Sequence, residues 1–169
     1  MEPRVLAIDI RARKFGFVML EGAATLLDCG IHSHPSRISE VLVRKVAQLS
    51  KLFGLSLILA RHSAVVHRRK RIEIAKTIDA LKRHAHERSI TLHITTTDSV
   101  RKYFVKIGRV NKHEVGQLVA NRFPALAWRS PKKRKPWQRE PRVQTLLDAA
   151  ALAVMHFAQQ TGSQESASV

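Results

Sequence analysis

Two carboxylates lie in apolar surroundings at opposite ends of the chain. Asp9 interrupts the apolar run RVLAIDI (residues 4–10), and Asp148 opens the small, apolar run DAAALAVMH (148–156). A buried carboxylate without a partner is costly, so Asp9 predicts either a bound cation or an ion pair with a neighbouring arginine. Carboxylates that converge on two divalent cations are typical of phosphodiester hydrolysis.

Basic residues outnumber these acids. The chain has 30 Lys and Arg against 13 Asp and Glu, a formal net charge of +17, which favours nucleic acid as the partner. The predicted contact residues are the cations that follow Asp9, a basic run before a helix, and a cationic loop with a tryptophan. They are Arg11, Arg13 and Lys14; Arg68, Arg69, Lys70 and Arg71; and Lys132, Lys133, Arg134, Lys135 and Trp137. The alternative is that each charge run is a solvated face.

Trp137 lies within the cationic loop 129–142 and has two interpretations. Its indole could stack on a base or insert at a junction, as aromatic side chains do in many nucleic-acid sites. It could instead cover the hydrophobic core. Contacts to phosphates position a protein without reading bases, so the cations around it favour recognition by shape.

Hydrophobic periodicity gives the elements that must position these residues. The predicted strands are residues 4–10, 15–22, 24–33, 55–60 and 90–97, and the predicted helices are residues 40–53, 71–87, 100–104, 112–123 and 141–160. Ser36 and Ser39 are candidate N-caps of the first helix, and Asp98 or Ser99 of the third. Three strands with short gaps favour an antiparallel meander, and the later strand–helix alternation favours parallel crossovers.

With this element order the chain resembles the RuvC family of Holliday-junction resolvases. The family has Asp on its first strand and Gly seven residues later, like Asp9 and Gly16, and a C-terminal helix motif like Asp148 to His156. A Lys that opens a helix resembles Lys112 in NKHEV. The resemblance spans residues 4–158. It implies an α/β, ribonuclease H-like fold with a five-stranded mixed sheet flanked by helices, in which an antiparallel meander is joined by parallel strands.

The resemblance also implies a site. Asp9 and Asp148 would bind Mg²⁺ or Mn²⁺, and Lys112 would contact nucleic acid. A third acid must then complete the catalytic set, and Glu140 before the last helix is the preferred candidate, with Glu73 and Glu114 as alternatives. Each of these three glutamates could instead complement a helix dipole. Family members act on branched DNA as homodimers, which implies the same here.

Three positions depart from the family pattern. Arg61 stands where a Glu is usual, Thr145 where an acid or a His is usual, and Ile10-Arg11 where Pro-Gly is usual. A guanidinium close to Asp9 would neutralise that carboxylate in place of a metal ion.

Two functions therefore follow as hypotheses. The first is a divalent-metal endonuclease that selects Holliday junctions or other branched DNA. The second is a catalytically impaired DNA-binding protein of the same fold, in which Arg61 or Arg11 pairs with Asp9. An RNA-associated role is a third, weaker alternative, because cationic loops do not distinguish the two polymers.

The length favours one domain, residues 1–160, followed by a polar, disordered tail at 161–169. One cysteine and the lack of a signal peptide or of a roughly 20-residue apolar run predict a cytoplasmic protein without membrane contact.

Overall fold

The computed structural model describes residues 1–64, 67–129, 133 and 135–166. The elements follow the predicted order, with five strands, five α-helices and one 3₁₀ helix in that part of the chain. They are β1 (Arg4–Ile10), β2 (Lys14–Glu21), β3 (Thr25–Ser33), α1 (Ile38–Phe53), β4 (Leu57–His62), α2 (Arg68–Glu87), β5 (Thr91–Thr96), α3 (Thr97–Lys106), α4 (Lys112–Arg122), the 3₁₀ helix (Pro124–Arg129) and α5 (Gln144–Ser166).

The strands form one mixed sheet in the order β3-β2-β1-β4-β5. Strands β1, β2 and β3 pair antiparallel, whereas β4 pairs parallel to both β1 and β5. The predicted α/β, ribonuclease H-like class with an antiparallel meander and parallel strands is confirmed.

Strand β1 lies at the centre of the sheet and is buried on both faces. Val5 and Ala7 pack into the core beneath helix α5, whereas Leu6 and Ile8 pack into the opposite core beneath helices α1 and α2. Side chains alternate along a strand, so Asp9 follows Val5 and Ala7 and points to the face covered by α5.

Helix α5 is buried around its whole circumference over residues 144–153. The sheet covers one side of the helix, and helices α3 and α4 cover the other. The alanines at 149–151 and 153 are small enough for both layers to pack closely.

Gly16 on β2 marks the closest approach of α5 to the sheet. A Cβ atom at this position would lie 2.4 Å from the backbone carbonyl of Thr145. No other residue type fits there without a backbone shift, because a Cβ atom cannot approach backbone so closely. The first turn of α5 therefore lies directly above the strand neighbours of Asp9.

Two predicted helix caps are wrong. The N-cap residue of helix α1 is Arg37, and no side chain caps the helix, neither Ser36 nor Ser39. Just before the helix, Nδ1 of His34 accepts hydrogen bonds from the N–H groups of Ser36 and Arg37 at 3.1 and 2.8 Å. In helix α3 it is the Thr96 hydroxyl that accepts the Ser99 N–H at 3.2 Å. Asn111 does cap α4 through the Glu114 N–H, at 2.9 Å.

Helix α5 begins three residues later than predicted, because Pro141 lies in a preceding turn whose carbonyl accepts the Gln144 N–H at 3.0 Å. It continues to Ser166, past its predicted end at residue 160 and into the segment predicted to be a tail. Residues 167–169 lie outside the described part of the chain. Of the helices described, none combines the length and the apolarity that crossing a membrane requires.

Candidate functional site

The sheet register places three site positions side by side. Asp9 on β1 lies opposite Gly16 on β2 and Arg61 on β4. Asp148 lies one turn into α5, and its side chain is 7% exposed, against 3% for that of Asp9. The two acids that the sequence placed at a common site therefore meet at one pocket, above the centre of the sheet.

Arg11, in the turn between β1 and β2, joins both acids to a third. Its Nε lies 2.9 Å from Asp9 Oδ2, its Nη2 lies 2.7 Å from Asp148 Oδ2, and its Nη1 lies 2.7 Å from Glu140 Oε1. One guanidinium thus contacts three carboxylates, each through a different nitrogen. Burial alone would lower the pKa of Arg11, but the attraction of Asp9, Asp148 and Glu140 raises it above its ordinary value.

Arg61 contacts the same pair of aspartates from beneath. Its Nε lies 3.1 Å from Asp9 Oδ1, its Nη2 lies 3.6 Å from Asp148 Oδ2, and its side chain is only 6% exposed. The guanidinium also donates to the backbone carbonyl of Asp148 and to the Thr97 hydroxyl, each at 3.4 Å. At the strand position where the RuvC family usually has an acid, this chain therefore has a buried cation bound to the other acids.

Lys112, at the start of α4, is the third cation of the cluster. Its Nζ lies 3.2 Å from Glu140 Oε2 and 3.8 Å from Asp148 Oδ2. Three carboxylates and three cations give the cluster a formal charge of zero.

Two neutral side chains complete the cluster, and sequence reasoning missed the role of both. The Thr145 hydroxyl donates to Asp9 Oδ2 at 2.8 Å, and the Gln144 amide donates to Asp148 Oδ1 at 2.9 Å. The i, i+4 spacing of Gln144 and Asp148 on a helix was the available signal for the second contact. Nothing local in the sequence indicates the first.

Burial divides the cluster into two parts. The floor consists of residues with little solvent exposure: Asp9, Arg61, Gln144, Thr145 and Asp148. The mouth consists of Arg11, Lys112 and Glu140, whose side chains are 25%, 48% and 26% exposed.

The electrostatic balance differs between floor and mouth. Burial and the like charge of Asp148 raise the pKa of Asp9, although Arg61 and Arg11 oppose that rise. Burial also acts to raise the pKa of Glu140, but Arg11 and Lys112 outweigh it and hold that pKa below its ordinary value.

The carboxylates do not fit a divalent cation in this arrangement. Each of their six oxygens has a cation or a hydrogen-bond donor within 3.2 Å. Mg²⁺ and Mn²⁺ need anionic oxygens that are free to coordinate. Within the part of the chain that the structure describes, no group of three or more acidic, histidine or cysteine residues could hold a metal ion. The assignment of Asp9 and Asp148 as metal ligands stays a prediction.

A pocket of about 920 Å³ opens over the cluster and is lined mainly by basic and hydroxyl side chains. Six of the predicted nucleic-acid contacts line it, namely Arg11, Arg13, Lys14, Arg69, Lys70 and Lys112. The other predicted contacts of the basic run, Arg68 and Arg71, lie in the exposed first turn of α2. The alternative acid Glu73 lines the pocket without joining the cluster, and Glu114 instead accepts the Val110 N–H at 2.7 Å.

The cationic loop is partly described. Lys133, Lys135 and Trp137 are exposed, whereas the predicted contacts Lys132 and Arg134 lie outside the described residues. Trp137 is 77% exposed, so this tryptophan does not cover the core. The interpretation that Trp137 covers the core is therefore wrong, and a contact with nucleic acid stays a prediction.

Comparison with known proteins gives a fold. No protein-family model matches the sequence, and no curated protein matches it. Among solved structures, RuvC of Thermus thermophilus in complex with a Holliday junction substrate is 16% identical with a TM-score of 0.68, over 94% of this chain and 96% of that one. The structure of Thermus thermophilus RuvC is 17% identical with a TM-score of 0.67, over 94% and 96% of the two chains.

The yeast mitochondrial Holliday junction resolvase Ydc2 is similar to the same degree. It is 13% identical with a TM-score of 0.67, over 96% of this chain and 81% of that one. At such identities the likeness concerns the fold alone. This chain has a RuvC-like fold over nearly its whole length.

Proposed function

We propose that this chain binds branched DNA through its RuvC-like fold, and that its acidic cluster is neutralised by the protein's own cations. The observation that carries the proposal is the contact of Arg11 with all three carboxylates at the bottom of a basic pocket. This is the second hypothesis from the sequence, a catalytically impaired DNA-binding protein in which Arg61 or Arg11 pairs with Asp9.

The pocket supports a phosphate-binding role. The acidic cluster is already neutral, so its charge does not require the four other cations that line the pocket. They are Arg13, Lys14, Arg69 and Lys70. Their charge is available for a polyanion, and the chain as a whole carries +17. One structural neighbour is described in complex with a Holliday junction substrate, which makes branched DNA the first substrate to test.

A second candidate is the metal-dependent endonuclease itself. The observation that favours it is that Asp9, Asp148 and Glu140 converge on one pocket, as a catalytic set of acids for Mg²⁺ or Mn²⁺ would. This candidate requires Arg11 to leave the carboxylates first. Its side chain is at the mouth and 25% exposed.

The test measures binding and cleavage on the same DNAs. We expect a four-way junction to bind more tightly than a duplex of equal length, at one stated salt concentration, without cleavage in Mg²⁺ or Mn²⁺. Cleavage that is abolished in Asp9→Asn would establish the endonuclease instead. Equal affinity for junction and duplex would remove the preference for branched DNA.

Charge variants locate the binding surface. We expect Lys14→Ala combined with Arg69→Ala to weaken junction binding and to reduce the slope of log K against log salt by about one per lost cation. The matched control replaces Lys51 and Lys76, exposed lysines on α1 and α2 that do not line the pocket. An equal loss in the control would mean that net charge, not the pocket, drives binding.

Two further properties of the proposal have direct readouts. A four-way junction is two-fold symmetric, so we expect a homodimer, measured as two chains per junction by sedimentation. Competition with structured RNA at the same salt concentration tests the polymer. Stronger displacement by RNA than by duplex DNA would favour the RNA-associated alternative.

A further inference from the structure

A short, closed turn presents Trp137 to solvent. The Lys135 N–H donates to Gln138 Oε1 at 2.8 Å, and the Gln138 N–H donates to the Lys135 carbonyl at 3.0 Å. These two hydrogen bonds close a four-residue turn whose central residues are Pro136 and Trp137. The ring of Pro136 fixes its φ angle, which further restricts the backbone. The turn thus presents the indole at its tip.

The exposure of this side chain is unusual for its type. Tryptophan has the largest apolar surface of any residue and is mostly buried in folded proteins, yet Trp137 is 77% exposed. Lys135 Nζ lies 5.3 Å from the centroid of the ring, within the range of a cation–π contact. An aromatic face beside an ammonium group offers stacking for a base and a charge for the adjoining phosphate.

The turn ends two residues before Glu140, which belongs to the mouth of the acidic cluster. Glu140 follows Trp137 by three residues and pairs with Arg11 and Lys112 at 2.7 and 3.2 Å. A chain of three residues spans at most about 11 Å, so the turn lies close to the acidic cluster. DNA that fills the pocket would therefore pass near the indole.

We infer that Trp137 stacks on an unpaired base of the bound nucleic acid, which makes the substrate class DNA with exposed bases, such as a junction centre, a bulge or a single strand. This inference rests on the proposed DNA-binding function. A continuous duplex has its base faces covered by their neighbours, so it offers no surface to the indole. Stacking is tolerant of sequence, because every base has a flat aromatic face.

The experiment compares two variants on two DNAs. Trp137→Ala removes the aromatic face, and Trp137→Phe keeps a smaller one. The DNAs are a continuous duplex and the same duplex with a three-thymine bulge. We expect Trp137→Ala to weaken binding of the bulged duplex by about 5-fold to 150-fold and that of the continuous duplex by less than about 2-fold. Trp137→Phe should restore most of the loss.

Fluorescence gives a second readout. The chain has two tryptophans, so the difference between the wild type and Trp137→Phe isolates the emission of Trp137. We expect the bulged duplex to quench this emission and the continuous duplex to leave it nearly unchanged. Lys135→Gln, which removes the neighbouring charge, should weaken binding of both DNAs equally.

Each outcome decides the inference. An equal loss on both DNAs in Trp137→Ala, or no loss on either, overturns stacking on an unpaired base but leaves the DNA-binding function intact. Wild-type protein that binds neither DNA above the level of a neutral protein overturns both proposals.

Discussion

The floor and the mouth of the acidic cluster use the same chemistry at different depths. In the floor, Arg61 contacts Asp9 and Asp148 with 6% of its side chain exposed. In the mouth, Arg11 contacts the same two aspartates with 25% exposed. A guanidinium in the floor cannot return to water without unfolding its surroundings, whereas one in the mouth can exchange partners with a ligand.

This difference in depth indicates that the floor stabilises the fold and that the mouth takes part in binding. The floor neutralises acids that the fold would otherwise bury without partners, so its loss should appear as lost stability. The mouth lies on the surface that a polyanion would meet, so its loss should appear mainly in what the cluster can bind. The following predictions test this division, beginning with the largest expected effect.

Replacing Arg61 tests the floor. We expect Arg61→Ala to reduce the free energy of unfolding by about 3–5 kcal/mol, because it leaves Asp9 and Asp148 buried with less compensating charge. Urea unfolding at neutral pH measures the change. The double variant Arg61→Ala with Asp9→Ala should lose less than the sum of the two single variants, since the charge left unpaired is then absent. A loss below about 1 kcal/mol in the single variant would contradict the division.

Replacing Gly16 tests how the sheet and α5 hold the floor together. We expect Gly16→Ala to reduce the free energy of unfolding by about 1–3 kcal/mol, because the new Cβ would lie 2.4 Å from the Thr145 carbonyl and the helix must move. Urea unfolding again measures it. The matched control is Gly30→Ala on β3, where the new Cβ would meet only the Phe17 ring at 3.0 Å, and that side chain can adjust. Equal costs would mean that α5 does not constrain the position.

Replacing Arg11 tests the mouth. We expect Arg11→Ala to reduce the free energy of unfolding by about 1–3 kcal/mol. This is less than for Arg61→Ala, because water replaces part of the lost charge interaction. The variant also leaves three carboxylates around a gap with a net negative charge. We therefore expect it to bind Mn²⁺, measured by calorimetry, where the wild type does not.

Arg13, which lines the same pocket, provides the control for that measurement. Arg13→Ala removes an equal charge and should leave Mn²⁺ binding unchanged. Similar Mn²⁺ affinity in the wild type and in Arg11→Ala would show that the guanidinium does not exclude metal, and it would favour the endonuclease candidate.

The fold could be predicted from the sequence because its signals are local. Alternating and continuous apolar runs identify strands whatever surrounds them, and short connections between the first three strands dictate an antiparallel meander. Helix ends were less predictable, because no side chain caps α1 and the Thr96 hydroxyl caps α3 in place of the expected Asp98 or Ser99. Whether Thr96 can cap α3 depends on where strand β5 ends, which a sequence pattern does not contain.

The three acids of the cluster and the pairing of Asp9 with Arg61 or Arg11 could be predicted, but the other contacts could not. Asp9 was found through its apolar surroundings, Asp148 through the motif that resembles the RuvC family, and Glu140 through the need for a third acid. That one arginine contacts all three could not be predicted, because a long side chain in a turn has many rotamers and the sequence does not choose among them. The donor role of Thr145 depends on the close approach of α5 at Gly16, which is a property of the packed structure.

The smallest expected effect concerns Glu140 and pH. Its pKa is held below 4.5, its ordinary value, because Arg11 and Lys112 outweigh the effect of burial. A carboxyl group whose pKa is lower in the folded state binds protons less readily there, so its stabilising contribution is present above the unfolded-state pKa. That contribution is lost as the pH falls through the folded-state pKa.

We therefore expect the wild type to be more stable than Glu140→Gln by less than about 1 kcal/mol at pH 7, since the pair is partly exposed. This difference should shrink as the pH falls below about 4.5. Urea unfolding of both proteins between pH 3 and pH 7 measures it. Asp9 titrates in both proteins, so their difference isolates Glu140. A difference that grows on acidification would mean that Arg11 and Lys112 do not stabilise the charged form of Glu140, and the mouth would then be held by other contacts.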